Sequence, residues 1–327
     1  MPSYSRIAAT GHYVPPTTVR NEDLLQFPAN SLALIESKTG VRARRHAAST
    51  ECTSDLGFYA ATACLARAGI PATDLDAIVL ATSSPDRIQP ATATRVQQAL
   101  GATHAFAFDV NSVCTGAVYG IAIADAMVRT GQCRTAMVIA AEVYSKYLNR
   151  TDFTTYPYFG DGAGAVLLTA SNGQPGIVET LLRSDGSGAD VIQIPGGGTM
   201  LPYGAMTQEK DAFFRMRGRE VYDFAVTRGA EIIGELLRQT SLTPADVAWV
   251  VPHQANINVI REISQRSGIP FERFIVNLDR YGNTAAASVL IGLDELMASG
   301  QARAGDHVIV VAFGGGLSWG AALLRVT

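Results

Sequence analysis

The stretch FAFDVNSVCTGA, residues 106–117, runs from a short apolar segment through small residues into a segment with helical periodicity. A similar stretch, IVNLDRYGNTAA, occupies residues 275–286, an offset of 169 (275 minus 106). A strand, a small-residue turn and a helix are predicted in the same order in both stretches, which indicates an internal duplication. We therefore expect two α/β halves of related structure.

Further segments repeat in the same order in the two halves, and they support the duplication. The pairs are residues 74–82 with 246–254, residues 135–141 with 307–313, and, more loosely, residues 162–169 with 319–326. Short apolar runs of this kind are typical of strands in a sheet that helices cover on both faces. Apolar residues at helical spacing predict helices at residues 54–69, 115–131, 218–240, 256–268 and 284–300.

A polar, turn-rich segment at residues 169–176 separates the halves, which we place at residues 1–171 and 172–327. A longer irregular stretch at residues 195–213 interrupts the second half and is a candidate lid or wall of a substrate channel.

The composition excludes several classes of protein. The 327 residues are 47% hydrophobic and 17% charged with a net charge of -3, which suits a globular α/β protein. There is no overall positive charge to attract nucleic acid or an anionic membrane surface. No segment resembles a signal peptide or is apolar over the length of a membrane span. We predict a cytoplasmic protein that binds neither nucleic acid nor membrane.

One of the four cysteines occupies an unusual position. Cys52, Cys64, Cys114 and Cys133 form no CxxC pair and no metal-ligand spacing with histidine, which argues against zinc and against a disulfide framework. Cys114 lies at the start of a predicted helix, where unpaired N–H groups and the helix dipole favour the thiolate. We predict that Cys114 is a nucleophile and that the other three are ordinary buried residues.

Two further polar residues occupy similar turns. His253 follows the strand VAWVVP, and Asn283 lies at the position of the second half that is equivalent to Cys114. Side chains at the ends of such strands point toward a cleft at the sheet edge. Because these residues are far apart in sequence, they suit a cleft assembled from both halves and not a local metal site.

Two glycine-rich segments have different predicted roles. Residues 160–165, GDGAGA, lead into a strand instead of a helix, so we assign them to tight packing and not to a phosphate loop. Residues 313–320, FGGGLSWG, follow a strand, and their glycines would let a backbone N–H approach a reacting carbonyl opposite Cys114.

The segments DVNSVCTGA, VPHQANINVI, YGNTAAAS and FGGGLSWGAALL together resemble the β-ketoacyl carrier protein synthase III family, and the resemblance covers essentially the whole chain. It implies a thiolase-like α/β fold in which two pseudo-repeated halves form a five-layered αβαβα sandwich. It also implies a homodimer, a Cys-His-Asn triad, and no metal or redox cofactor.

The same resemblance implies a role for each residue of the site. Cys114 would take an acyl group from a thioester donor, and the N–H groups of Cys114 and Gly315 would hold the oxyanion. His253 and Asn283 would stabilise the enolate that forms when a malonyl thioester loses carbon dioxide. The carbanion would then attack acyl-Cys114. The thioesters would be those of coenzyme A or of the phosphopantetheine of a carrier protein.

Several implied substrate-binding positions depart from the bacterial fatty-acid enzymes. Leu34 and Phe153 stand where those enzymes hold the adenine of coenzyme A between Trp and Arg. Asn258 replaces an arginine that binds the carrier, and Asp223 replaces a lysine, so docking of an acidic carrier should be weaker. The other implied binding positions are Gly218, Asn256 and Phe313. A substitute basic patch is predicted from Arg42, Arg44, Arg45, Arg261 and Arg266.

Gln89 replaces the phenylalanine that the resemblance places in the acyl pocket of the neighbouring subunit. Together with Arg87, it predicts an unusual starter acyl group with a polar or carboxylate end, and hence a specialised pathway.

Three functions stay open on the sequence. The first is decarboxylative condensation, and the second is transfer of the acyl group from Cys114 to an amine or alcohol without decarboxylation. A non-catalytic partner subunit is disfavoured, because Cys114, His253 and Asn283 are all present. A thiolase with a second catalytic cysteine late in the chain is disfavoured, because no cysteine follows Cys133.

Overall fold

The protein is described by a computed structural model that covers residues 4–171, 173 and 175–327. Its strands are β1 (Tyr4–Tyr13), β2 (Thr18–Arg20), β3 (Ala43–Arg45), β4 (Ala77–Ala81), β5 (Phe106–Val110), β6 (Thr135–Glu142), β7 (Gly162–Ser171), β8 (Ile177–Ser184), β9 (Ile192–Gln193), β10 (Arg215–Met216), β11 (Val247–Pro252), β12 (His307–Gly314) and β13 (Ser318–Arg325). Its α-helices are α1 (Ala29–Thr39), α2 (Thr53–Ala68), α3 (Thr92–Leu100), α4 (Gly116–Arg129), α5 (Gly218–Gln239), α6 (Ile257–Ser267), α7 (Leu278–Tyr281) and α8 (Ala287–Ser299).

Two main sheets carry the duplication that the sequence predicts. The first has the order β1-β7-β6-β4-β5, with β6, β4 and β5 parallel, and the second has the order β11-β12-β13-β8, with β11 and β12 parallel. Strands β4, β6 and β7 correspond to β11, β12 and β13, as the repeated segments predict. All five residues of β4 are buried, as expected for a strand covered on both faces.

The helices complete five layers. Helices α4 and α8 lie between the sheets, since α4 contacts β6 and β13 while α8 contacts β7 and β11. Helices α2 and α3 cover the outer face of the first sheet. Helix α5 covers the outer face of the second sheet, and α6 packs against it. The predicted αβαβα sandwich is therefore confirmed.

The second half differs from the first at the segment equivalent to β5. The strand predicted at the start of residues 275–286 is wrong, because the isolated bridge to Val250 is made by Phe274, just before this segment, and residues 275–277 form no strand ahead of the short helix α7. The Gln254 side chain takes the place of a strand partner there. Its Oε1 accepts hydrogen bonds from the backbone N–H groups of Asn277 (3.0 Å) and Leu278 (3.2 Å).

The predicted helices agree with α2, α4, α5, α6 and α8 to within about three residues, the usual scatter of helix ends. Residues 195–213 contain only two short 3-10 turns, as the irregular composition predicts. The predicted boundary between the halves follows Ser171, and Asn172 lies outside the described residues. In the described part of the chain, no helix has the length and apolar character that crossing a bilayer requires.

The GDGAGA segment is used for close packing, as predicted. Gly164 of β7 lies against α8, where a Cβ atom on this residue would lie 2.8 Å from the backbone nitrogen of Ile291 and closer still to Leu290. No side chain fits there unless the sheet and the helix move apart.

Gly164→Ala is therefore expected to lower the free energy of unfolding by about 1–3 kcal/mol through overpacking. Urea denaturation followed by circular dichroism measures the change. Gly198→Ala is the matched control, because a Cβ atom there meets no atom within 4 Å. Equal stability of the two variants would contradict the packing argument.

Candidate active site

A cavity of about 270 Å³ lies between the two halves of the chain. The residues predicted to act together line it: Cys114, His253 and Asn283, with the predicted binding positions Gly218, Asn256 and Phe313. The long sequence separations predicted such a cleft. The structure thus brings the three polar residues to one place.

Cys114 lies in a short 3-10 turn, Val113–Thr115, between β5 and α4. Val113 has φ +46°, in the left-handed region that a β-branched residue rarely adopts. The end of β12 presses on this turn, since a Cβ atom on Gly314 would lie 2.7 Å from Cys114 Cβ. Thr115 Oγ1 also lies 2.7 Å from Ser318 Oγ of β13. These contacts fix the cysteine at the helix start.

Cys114 is only 7% exposed, and burial raises the pKa of its thiol to about 12, with the charge of Glu142 adding to the rise. The backbone N–H of Cys114 acts in the direction expected at a helix start and lowers this pKa, but burial outweighs it. Removal of the thiolate from water costs more than the N–H groups of one helical turn recover. The nucleophile is a neutral thiol before substrate binds.

Alkylation of Cys114 by iodoacetamide is expected to accelerate about tenfold for each pH unit between about pH 7 and 10, because only the thiolate reacts. Peptide mass spectrometry follows Cys114 apart from the other cysteines. Glutathione is the control, and its rate levels off near the ordinary thiol pKa of about 8.5. A plateau for Cys114 below pH 9 would show a stabilised thiolate and contradict the expectation.

His253 follows β11, and its backbone N–H donates to Val311 O at 2.8 Å. Its Nδ1 lies 2.8 Å from Ser288 Oγ, and its ring packs edge-on against Phe313 at 5.4 Å between centroids. Burial lowers the pKa of His253 to about 3. The imidazole is therefore neutral at pH 7.

Asn283 is held by its backbone and by one side-chain atom. Its N–H donates to Tyr158 O at 2.8 Å, and its carbonyl accepts from the N–H of Gly160 at 3.0 Å. Its Oδ1 accepts from the N–H of Ala285 at 2.9 Å. Because the amide oxygen is used in this way, the Nδ2 group is left to donate into the cavity.

Aromatic rings form the apolar wall beside Cys114. Tyr144, Phe159 and Phe214 pack together, with centroid distances of 4.9–5.5 Å, in the same core cluster as Cys114. Sequence analysis missed this wall, and it also missed the cavity-lining residues of α5, Val221, Tyr222 and Ala225. The apolar face of the helix predicted at residues 218–240 was the available signal.

A buried carboxyl group lies close to this aromatic wall. Glu142 accepts hydrogen bonds from the N–H and hydroxyl of Ser83 and from the hydroxyl of Ser84, and burial nevertheless raises its pKa to about 7. Ser83 Oγ also lies 2.8 Å from Tyr144 Oη. Glu142 thereby holds the β4–α3 loop, which carries the exposed Gln89.

The other implied binding positions are not among the residues that line the cavity. Leu34 is exposed on α1, and Phe153 packs edge-on against Phe27 at 5.1 Å. Asn258 Nδ2 donates to Lys38 O at 2.9 Å, which joins α6 to α1. Gly315 lies next to Val113 and Ile192, and the preceding residue, Gly314, is the one that contacts Cys114.

The predicted basic patch does not form as a set of free cations. Arg44 is fully buried, with its guanidinium donating to Asn21 Oδ1 and Pro157 O, so its predicted role at a docking surface is wrong. Arg42 pairs with Glu36, and Arg266 pairs with Glu262. Arg45 donates to the backbone oxygens of residues 15 and 16. Arg261 lies over the ring of residue 271.

Among the described residues, no group of three or more His, Cys, Asp or Glu side chains could hold a metal ion.

Five layers from two duplicated halves, with a cysteine at the start of a central helix, define the thiolase-fold class of condensing enzymes.

Comparison with known proteins identifies the family within this class. The family described as 3-oxoacyl-[acyl-carrier-protein (ACP)] synthase III matches residues 108–186, and its C-terminal part matches residues 237–326. The β-ketoacyl-[acyl-carrier-protein] synthase III of Rhodospirillum centenum is 44% identical over 329 residues, which cover 99% of this chain and 100% of that protein.

Solved structures agree with this placement. The crystal structure of 3-oxoacyl-[acyl-carrier-protein] synthase III from Aquifex aeolicus VF5 has a TM-score of 0.90 at 35% identity, covering 98% of this chain and 99% of that one. The priming β-ketosynthase of the R1128 polyketide pathway has a TM-score of 0.91 at 29% identity, covering 99% and 96%. The chain belongs to the β-ketoacyl-[acyl-carrier-protein] synthase III family and is a transferase of that type.

Proposed function

We propose that this enzyme loads an acyl group onto Cys114 and condenses it with a malonyl thioester, with loss of carbon dioxide. The observation that carries the proposal is the meeting of Cys114, His253 and Asn283 in one buried cavity of a synthase III chain. The donor is an acyl thioester of coenzyme A, and the acceptor is a malonyl thioester of a carrier protein or of coenzyme A.

In the loading step, Cys114 Sγ bonds to the carbonyl carbon of the donor, and the carbon–sulfur bond of the donor breaks. The donor leaves as a thiol, so the proton of Cys114 ends on it. The N–H groups of Cys114 and Gly315 are the proposed donors to the oxyanion, because both lie where β12 meets the start of α4.

In the condensation step, the malonyl thioester loses carbon dioxide and becomes an enolate. Asn283 Nδ2 donates to the enolate oxygen, and His253 Nε2 donates to it when that nitrogen carries a proton. The carbanion then bonds to the acyl carbon, and Cys114 leaves as thiolate. The cavity suits this chemistry because it excludes water from a reactive carbanion.

We also propose that the enzyme is a homodimer joined at the first sheet. In the described part of the chain β5 pairs only with β4, which leaves one edge of the sheet free. Phe106 on this strand is 42% exposed, and Ile88 on the adjoining loop is 74% exposed. Light scattering of the purified protein measures its mass, and a monomer would contradict the proposal.

A dimer of this kind would bring Gln89 and Arg87 of one subunit toward the cavity of the other, and we propose a starter with a polar end on this basis. Both residues are exposed on the β4–α3 loop of the single chain. Succinyl and butyryl thioesters have the same number of carbon atoms and differ in the terminal carboxylate. Faster loading of succinyl supports the proposal, and faster loading of butyryl contradicts it.

The experiment that tests the function is incubation with a panel of acyl thioesters, read by intact mass, followed by a malonyl thioester labelled in its free carboxyl group. An acyl adduct followed by release of labelled carbon dioxide and a β-ketoacyl product is expected. An adduct that passes to an amine or alcohol without decarboxylation would favour plain acyl transfer. No adduct from any donor would favour a non-catalytic partner subunit.

A further inference from the structure

We propose that Arg44 is a positioning residue for condensation, because it holds the backbone of residues 157–160 and this backbone in turn fixes Asn283. The inference rests on the proposed function, in which Asn283 donates to the enolate. Arg44 is a buried cation that neither a docking surface nor the triad accounts for.

The guanidinium of Arg44 donates to three uncharged acceptors. Arg44 is 0% exposed. Its Nη1 donates to Val19 O at 3.3 Å, and its Nη2 donates to Asn21 Oδ1 and to Pro157 O, both at 2.6 Å. Its Nε is buried without a hydrogen-bond partner among the described residues. Because burial lowers its pKa only to about 10, the group stays a cation at pH 7.

A core position that needed only volume would be filled differently. Burial of a cation has a large desolvation cost, and apolar side chains of similar volume often give equal or greater stability. A guanidinium differs from an apolar side chain in its planar fork, whose N–H groups point in fixed directions and hold several acceptors at once. Arg44 therefore acts as a rigid link between β2, the turn after it and the loop that leads to residue 158.

The segment that Arg44 holds is the backbone partner of Asn283. The N–H of Asn283 donates to Tyr158 O at 2.8 Å, and its carbonyl accepts from the N–H of Gly160 at 3.0 Å. These two bonds form the isolated bridge between Phe159 and Asn283. The carbonyl that the guanidinium holds belongs to the residue immediately before Tyr158. A shift of this segment would therefore move Asn283.

The aliphatic part of Arg44 packs against the same two backbones. A Cβ atom on either Gly160 or Gly282 would lie 3.2 Å from Arg44 Cβ. Gly282 has φ +68° and immediately precedes Asn283, and a Cβ atom on it would also lie 2.8 Å from Tyr158 O. No further side-chain atom fits between these backbones, so a displacement of one reaches the other directly.

Arg44 is expected to matter for one of the two chemical steps. In the proposed mechanism Asn283 Nδ2 donates to the enolate, whereas the oxyanion of the loading step is held by N–H groups beside Cys114. A preorganised donor stabilises a developing charge only when it is held at the correct position. Disturbing Arg44 should therefore slow condensation and leave acyl loading nearly unchanged.

Arg44→Lys is the test, because lysine keeps the positive charge but has one nitrogen for acceptors that the guanidinium reaches with two. Condensation is expected to slow on the order of 10- to 100-fold, the scale of a misplaced catalytic group. Single-turnover loading should stay within about threefold of the wild type. Condensation at the wild-type rate in the folded variant would overturn the proposal.

Arg273→Lys is the matched control. Arg273 is also partly buried and also holds backbone carbonyls, since its Nη1 donates to the oxygens of residues 244, 245 and 247. None of these residues lines the cavity. Both rates of Arg273→Lys should equal those of the wild type.

A double-mutant cycle with Asn283→Asp shows whether Arg44 acts through Asn283. Asn283→Asp removes the Nδ2 donor itself, so adding Arg44→Lys should slow condensation by no more than about threefold further at the same pH. A combined loss equal to the product of the two single losses would mean that Arg44 supports the fold alone, and would overturn the proposal.

Amide hydrogen exchange of the full chain reads the same contact without turnover. Arg44→Lys should speed exchange in peptides that contain residues 157–160 and 282–285, and it should leave α2 at the wild-type rate. Exchange that is unchanged in both peptides would overturn the proposal. A wild-type enzyme that loads no thioester would contradict the proposed function, while the exchange pattern still decides the role of Arg44.

If Arg44→Lys does not fold, Asn21→Ala decides the question. This variant removes one acceptor of the guanidinium and leaves Arg44 in place. Condensation is expected to slow about threefold or more, the scale of one lost hydrogen bond, with loading unchanged. Equal effects on loading and condensation, or no effect on either, would overturn the proposal.

Discussion

Replacing Cys114 by alanine is expected to abolish the acyl adduct and to slow condensation on the order of 10⁴-fold or more, the scale of losing a covalent nucleophile. Cys114 is the one thiol among the side chains that line the cavity, so no second sulfur can take the acyl group. Intact mass after incubation with an acyl thioester measures the first effect, and formation of the β-ketoacyl product measures the second.

The same variant should still decarboxylate the malonyl thioester, because His253 and Asn283 remain in place. The enolate then takes a proton instead of an acyl group, so carbon dioxide is released without condensation. Cys133→Ala is the control for a buried thiol, and Cys52→Ser is the control for a partly exposed one. An adduct that survives in Cys114→Ala would refute the assignment of the nucleophile.

The fold was predictable because the internal duplication repeats the apolar strand segments in the same order in both halves. Strands β4, β6 and β7 have counterparts in β11, β12 and β13, and covered strands of this kind are apolar in sequence. The elements that were not predicted include β1, β8, α1 and α3, which have no repeated apolar segment of this kind. The hydrophobicity of an edge strand such as β1 alternates weakly, and a short peripheral helix such as α3 buries only a narrow face.

At the position equivalent to β5, the internal duplication no longer predicts the structure correctly. The sequence of residues 275–286 still matches the strand, turn and helix of the first half, yet the Gln254 side chain holds the backbone amides of residues 277 and 278. A side chain that replaces a strand partner acts across more than 20 residues. A local sequence pattern cannot reveal a contact between residues that far apart.

The meeting of the triad was predictable, and the protonation states were not. The turns that carry Cys114, His253 and Asn283 follow from strand ends in the two halves. Their pKa values depend on burial, which raises that of the thiol and lowers that of the imidazole. A helix start predicts only the direction in which the dipole acts, and the larger cost of desolvation appears once the layers are packed.

The error at Arg44 had a signal in the sequence. Successive side chains in a strand point to opposite faces, so neighbouring arginines in β3 cannot both lie on one surface. Arg44 pairs with Val19 of β2 in register and points inward, where burial lowers the pKa of its guanidinium to about 10. The contact from Ser288 to His253 had no comparable signal, since it depends on how α8 packs beside β11.

Replacing Asn283 by aspartate is expected to slow condensation about 10²- to 10³-fold, the scale of losing one preorganised donor to an oxyanion. Aspartate keeps an oxygen for the N–H of Ala285, so the turn is preserved. It presents a second oxygen to the enolate in place of Nδ2. The loss should grow with rising pH, because ionisation leaves the carboxyl group with acceptors only and adds a negative charge beside the enolate.

Acyl loading of Asn283→Asp should stay within about threefold of the wild type at low pH, because loading forms its oxyanion at the N–H groups beside Cys114 and not at Nδ2. Single-turnover loading and steady-state condensation, each followed from about pH 6 to 9, separate the two steps. Asn149→Asp is the matched control, because Asn149 Oδ1 accepts from the N–H of Thr151 in a turn of the same kind, at an exposed site. Condensation by Asn283→Asp at the wild-type rate above pH 8 would mean that the enolate oxygen is held elsewhere, which would remove Asn283 from the proposed mechanism.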